Sequence, residues 1–120
     1  MIVVIMDDMK KELHCKSGII CLTNKEYQMF QCIVCNRRLL DIPLNIFIYT
    51  IWNGNNEDIS VGRIAQLLHR LKHKVSPIHD GICISFSKNT GVRCSFPEAT
   101  LIVNVNSLAG KLVQLLWRTL

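Results

Sequence analysis

Ser60-Val61-Gly62-Arg63-Ile64-Ala65-Gln66-Leu67-Leu68-His69-Arg70-Leu71-Lys72-His73-Lys74-Val75-Ser76-Pro77 is the stretch on which the fold turns. Its apolar residues Ile64, Leu68, Leu71 and Val75 return every three or four positions, the spacing that lines one side of a helix. Arg63, Gln66, Arg70 and Lys74, at offsets of three, seven and eleven, fill another side. Ser60 can accept from the free backbone donors of a first turn, and Pro77 forbids continuation, so the spacing predicts a helix from Val61 to about Lys74. Such a helix carries a basic ridge opposite a core stripe.

On its C-terminal side, Ile82–Phe86 and Val92–Phe96 alternate as strands do. The polar turn Ser87-Lys88-Asn89-Thr90-Gly91 joins them, and a hairpin with a basic tip is predicted. On the N-terminal side, Asp41 is placed to cap a preceding helix. Pro43 falls in its first turn, where a missing backbone donor does no harm. Leu44, Phe47, Ile48 and Ile51 form its buried stripe, and Asn53-Gly54-Asn55-Asn56 ends it through residues that tolerate a left-handed backbone. Thr23-Asn24-Lys25-Glu26 has the spacing of a capping box and opens a helix from Asn24 to Cys35. Tyr27, Phe30 with Met29, Ile33 and Val34 are its core face.

The remaining segments lie at the two ends. Ile2–Met6, Glu12–Cys15 and Gly18–Leu22 read as short antiparallel strands. Ala99–Val105 reads as a strand, and Ser107 caps a helix running through Trp117. The only polar stripe of that helix is Lys111, Gln114 and Arg118, so its wide apolar surface must be covered by its own domain or by a partner. With 120 residues and 49% hydrophobic composition the chain suits one core. The expected class is therefore α+β: three core helices, short N-terminal antiparallel strands and a C-terminal hairpin, plus an extra strand and helix. The expected division is residues 1–98 as the domain and 99–120 as an extension.

Charge is concentrated. Six basic residues and one acidic residue between Ser60 and Pro97 account for the whole formal net charge of +5. A local positive field suits a polyanion. The major groove of duplex DNA admits one helix whose Arg and Gln can meet base edges while nearby Lys and Arg meet phosphates. The competing reading of the same residues is a solvated helix face.

Four motifs together resemble the OmpR/PhoB-type winged helix-turn-helix family, over roughly Glu12 to Ser95. Leu22-Thr23-Asn24-Lys25-Glu26-Tyr27 resembles the opening of the family's first helix, and Ile51-Trp52-Asn53-Gly54 the close of its second. Ile64 to Val75 is similar to its recognition helix, and Ser87 to Arg93 to its wing. The resemblance implies sequence-specific binding of double-stranded DNA by a transcriptional regulator, bacterial, cytoplasmic and nucleoid-associated. It implies that Arg70 reads a base, with Arg63, Gln66, Leu67, Lys72 and Lys74 on bases or phosphates. Lys88, Thr90 and Arg93 belong to the wing, with Lys88 at the minor groove. Asn53, Asn55, Asn56 and Glu57 fall in the loop that family members use to touch RNA polymerase. Leu67, Asn89 and Val92 depart from the family's His, Gly and Tyr, so the target site cannot be copied from a relative. A regulator of the ToxR kind, which has this domain without a receiver, is the nearer comparison.

Self-association through Leu112, Leu116 and Trp117 is expected, since two half-sites multiply discrimination. The alternative is an interaction module of the same fold that has lost DNA binding and holds a partner through its apolar C-terminal segment. The six cysteines are read as reduced thiols. A zinc or redox site at Cys32 and Cys35, with Cys15, Cys21 and His14, competes with the reading of buried small hydrophobes. Cys83 and Cys94 are expected to face each other across the hairpin. His14, His69, His73 and His79 lack metalloprotease spacing, and no nucleophile elbow or phosphate loop occurs. No enzyme activity, metal or cofactor is expected, and no membrane span or signal peptide.

Overall fold

The computed structural model describes residues 2–52, 61–97 and 99–119, without the side chains of 109 and 117–119. Among the described residues the order is β1 (Ile2–Asp7), β2 (Glu12–Cys15), β3 (Gly18–Cys21), α1 (Asn24–Cys35), α2 (Leu44–Trp52) and α3 (Val61–Val75), followed by β4 (Cys83–Ser87), β5 (Gly91–Ser95), β6 (Thr100–Asn104) and α4 (Leu108–Thr119). The class is α+β, with four helices, a mixed four-stranded sheet and a separate hairpin. No helix among the described residues is long and apolar enough to cross a membrane.

The sheet runs β3-β2-β1-β6. The expected antiparallel platform is present as β1, β2 and β3, with Ile5 opposite His14 and Leu13 opposite Ile20. The segment after residue 98 does not stand apart from it. β6 pairs parallel to β1, from Ile2 opposite Thr100 to Met6 opposite Asn104. Ile2 and Val105 extend the ladder by donating to the carbonyls of Ala99 and Met6, at 2.7 and 2.8 Å. At the end of β1, Asp8 accepts from the Tyr27 hydroxyl and, at 2.5 Å, from the Asn104 amide. One carboxylate thus ties α1 and β6 to the end of β1. Its charge and the burial of the ring hold the Tyr27 phenol well above its ordinary pKa, burial being the larger cause.

Alternation decides the faces. Val4, Met6 and Leu13 join the main core with Ile20 partly covered, so Ile5, Asp7, Glu12 and His14 point from the other face. Above the core face sit the helices. Tyr27, Met29, Phe30 and Ile33 of α1, Phe47 and Ile51 of α2, and Ile64, Leu67, Leu68, Leu71 and Val75 of α3 meet in one apolar cluster. Burying each such side chain stabilises by about 1.5 to 3 kcal/mol before chain entropy is counted. The capping box forms as spaced: Glu26 N–H donates to the Thr23 hydroxyl at 3.2 Å and Thr23 N–H to the Glu26 carboxylate at 2.8 Å.

The second helix departs from expectation. Asp41 does not cap it. Its carboxylate instead accepts two bonds from Arg93, each of 3.1 Å, while the adjacent Ile42 bridges to Val92 of β5. The loop before α2 therefore serves as a third, one-residue strand for the hairpin. Gly91 makes that approach feasible: its φ is +108°, and a Cβ there would lie 2.1 Å from the Ile42 carbonyl oxygen. At the other end of the chain Ser107 does cap α4, accepting from Gly110 N–H at 2.9 Å. Gly110 is needed where α4 meets the end of β6, because a Cβ would fall 1.9 Å from the Asn104 carbonyl oxygen.

Candidate nucleic-acid interface

α3 presents Arg63, Gln66, His69, Arg70, Lys72 and His73 as exposed residues, and its sequence contains no carboxylate. Ile64, Leu68, Leu71 and Val75 are sealed beneath them, so the helix cannot roll to bury the basic face without exposing its core stripe. Arg63, Gln66, Arg70 and His73 follow one another at three- and four-residue steps along one ridge. The His69 and His73 rings, one turn apart, meet edge to face with centroids 4.9 Å apart.

Two expected members of this surface are placed elsewhere. Leu67 is 9% exposed and belongs to the core, packed with Leu68 and Ile64; it is not available to a base, which corrects the expectation. Lys74 is half-buried, and its ammonium donates to the buried Glu26 carboxylate at 2.6 Å. Burial alone would push the Glu26 carboxyl up, but Lys74 and the bonds from Thr23 outweigh it and hold the group below its ordinary range. Lys74 thus fastens α3 to the start of α1. His73, rather than Lys74, continues the exposed ridge.

Beside α3 stands the hairpin. Lys88, Asn89 and Thr90 form its exposed tip, and the register from Cys83 opposite Ser95 to Ser87 opposite Gly91 fixes its direction. Arg93 lies on the outer side of β5, half-exposed, with its guanidinium held by Asp41. Between helix and hairpin runs an open groove of about 340 Å³ lined by Ala65, Leu68, His69, Lys72, Ile84, Ser85 and Phe86. The structure therefore aligns Arg63, Gln66 and Arg70 along one ridge, with Lys72 on the flank of the helix that lines the groove and Lys88 and Thr90 on the neighbouring element. Asn53, Asn55, Asn56 and Glu57 lie outside the described residues. The fork on Arg93 and the Lys74 anchor were not evident beforehand, because their partners Asp41 and Glu26 are 52 and 48 residues away in sequence.

The thiols are all unbridged. Cys32 is buried in the core while Cys35 is exposed, so the two halves of the CxxC face different surroundings. Burial raises the Cys32 thiol, and it pushes Cys94 up to about 12, with the nearby Cys83 adding to the rise. Cys94 stands opposite Ile84 and Cys83 opposite Ser95, so the two are one position out of step and do not face each other as expected. No family model matches this chain, and neither a curated protein nor a solved structure matches it.

Proposed function

We propose that the chain is a transcriptional regulator that binds duplex DNA as a winged helix of the OmpR/PhoB kind, with α3 in the major groove and the β4–β5 hairpin beside it. What carries this reading is the exposed, carboxylate-free ridge of Arg63, Gln66, Arg70 and His73, with Lys72 on the flank toward the hairpin, locked outward by a buried stripe on the same helix. Arg and Gln offer the paired donors and acceptors that base edges match, and Lys72 with Lys88 supplies phosphate charge. The strand-like pairing of Ile42 with Val92 supports it further, since it anchors the hairpin to the loop ahead of α2 and fixes its position relative to the helices. A cytoplasmic, nucleoid-associated location belongs to this reading.

The test is titration of the whole chain with random-sequence and selected duplexes at rising salt. Affinity that falls log-linearly with salt, by about 0.9 per phosphate neutralised, is expected. Absence of duplex binding at low salt would leave the interaction-module alternative standing.

That alternative is favoured by one observation. Leu108, Leu112, Leu115 and Leu116 of α4 are 53 to 76% exposed, although the strand before them is part of the sheet. In the DNA-binding reading these leucines hold a second copy of the chain, and Leu112 and Leu116 are its contacts; the Trp117 side chain lies outside the described residues. Sedimentation decides it. A dimer that Leu112→Asp, Leu116→Asp converts into folded monomers is expected, and a wild-type chain that stays monomeric at micromolar concentration removes the dimer.

A further inference from the structure

On the face of the sheet turned away from the main core, Asp7, Glu12 and His14 each offer one ligand atom, and these atoms lie within 4.8 Å of one another. The register explains why. Asp7 is directly opposite Glu12 in the β1–β2 ladder, and His14 is the next residue on that face of β2. His14 Nε2 lies 3.3 Å from a Glu12 carboxylate oxygen. Asp7 is 9% exposed; its Oδ1 is occupied by the N–H groups of Met9 and Lys10, each at 3.1 Å, which turns the carboxylate rigidly and leaves Oδ2.

The charges are only partly compensated, by His14 at one Glu12 oxygen and the Cys21 thiol at the other. Like charges directly opposite in an antiparallel pair repel, and one of the two carboxylates here is almost withdrawn from water. Lys11, the nearby candidate for neutralising them, sits over the Tyr27 ring instead, 5.1 Å from its centroid. The His14 imidazole adds a nitrogen ligand beside the two carboxylates. Two oxygens and one imidazole nitrogen are the donor set of a borderline-soft divalent transition ion, whereas calcium and magnesium sites are built from oxygen alone.

We propose that Asp7, Glu12 and His14 bind one divalent transition-metal ion of the zinc class, which staples β1 to β2. Three protein ligands leave the remaining position for water or for the Cys21 thiol, whose sulfur is 3.7 Å from Glu12 Oε2. Occupancy removes the carboxylate repulsion at the end of β1, next to the Asp8 tie to α1 and β6, so the metal raises the stability of the whole sheet. The site stands whether or not the chain binds DNA.

The experiment uses the full chain, freed of metal, and titrates it with Co²⁺ and Zn²⁺ while following the cobalt absorption spectrum and the melting temperature. One equivalent is expected to bind saturably and to raise the melting temperature. His14→Gln is expected to weaken binding by about a hundredfold or more, since even groups that only support a metal ligand are worth about 10- to 100-fold. Glu12→Gln does the same, and circular dichroism of the metal-free variants separates ligand loss from unfolding. His69→Gln, His73→Gln and Cys32→Ser, Cys35→Ser remove the rival imidazole pair and the CxxC, and both double variants are expected to bind as the parent does. Binding that survives His14→Gln, that disappears in either double variant, or that is absent from the parent overturns the proposal.

Discussion

α3 and α4 are both amphipathic helices of similar length, yet they face the solvent with opposite chemistry. α3 buries Ile64, Leu68, Leu71 and Val75 and exposes Arg63, Gln66, Arg70 and Lys72. α4 does the reverse along much of its length, exposing Leu108, Leu112, Leu115 and Leu116 while Gly110 is buried against β6. The difference shows that an apolar periodicity identifies a helix without identifying what covers it. Among the described residues α3 packs on α1, and α4 on β6.

The largest expected effect breaks or keeps this contrast directly. Leu71→Ala leaves a cavity in a sealed core and is expected to cost about 2 to 5 kcal/mol in urea unfolding. Leu116→Ala, measured below the concentration at which chains associate, is expected to cost well under 1 kcal/mol. Equal costs would mean that α4 is as much a part of the core as α3.

Next in size is the exposed face of α3. Arg70→Ala is expected to weaken binding to a selected duplex by about 1 to 3 kcal/mol and to relax preference at one base position, with urea stability unchanged. Selection from random duplexes reads out the preference, and an unaltered motif would take Arg70 out of base reading.

Glu26 sharpens the contrast from beneath, because it is the buried end of the pair that fastens α3. Glu26→Gln is expected to cost about 1 to 2 kcal/mol at neutral pH, through the weakened cap and the lost charge partner of Lys74. The folded carboxyl titrates below the ordinary 4.5, so its contribution is complete above that value and is lost as the pH falls through the lower folded pKa. Urea midpoints of the parent and the variant should therefore converge on acidification. A gap that widens toward low pH would contradict the assigned sign.

The smallest effect belongs to the hairpin tip. Lys88→Ala is expected to weaken binding to all duplexes alike and to reduce the salt slope by about 1, as the loss of one phosphate contact does. A wild-type slope in the variant would put the tip away from the backbone.

What was legible in the sequence was what local chemistry encodes. The Thr23–Glu26 spacing announced the start of α1, the apolar steps from Ile64 to Val75 announced α3, and alternation around Ser87–Gly91 announced the hairpin. Each needs only neighbours within a few residues. Asp41 was misassigned because two uses of a carboxylate compete, a helix start nearby and an arginine far along the chain, and only the fold brings Arg93 within reach. Leu67 follows the same rule: its helical phase places it beside Leu68 in the core, and the family pattern drew it outward. The gathering of Asp7, Glu12 and His14 depends on strand register, which separates partners by a turn whose length alternation does not fix. The partner of Ala99–Val105 was equally hidden, since a strand's apolar face does not name the strand beside it.

The parallel pairing of β1 with β6 has a consequence for how the chain is made. The parallel partner of residues 2–6 is residues 100–104, so β1 keeps one edge open until that distant segment has been made and has docked. Contacts of such long sequence separation slow folding, and an open apolar edge invites pairing with other chains. β2 and β3 can close the opposite edge early, through two short hairpins. The nascent protein therefore passes through a stage with helices and three strands in place and one sticky border, and the docking of residues 100–104 is the event that seals it.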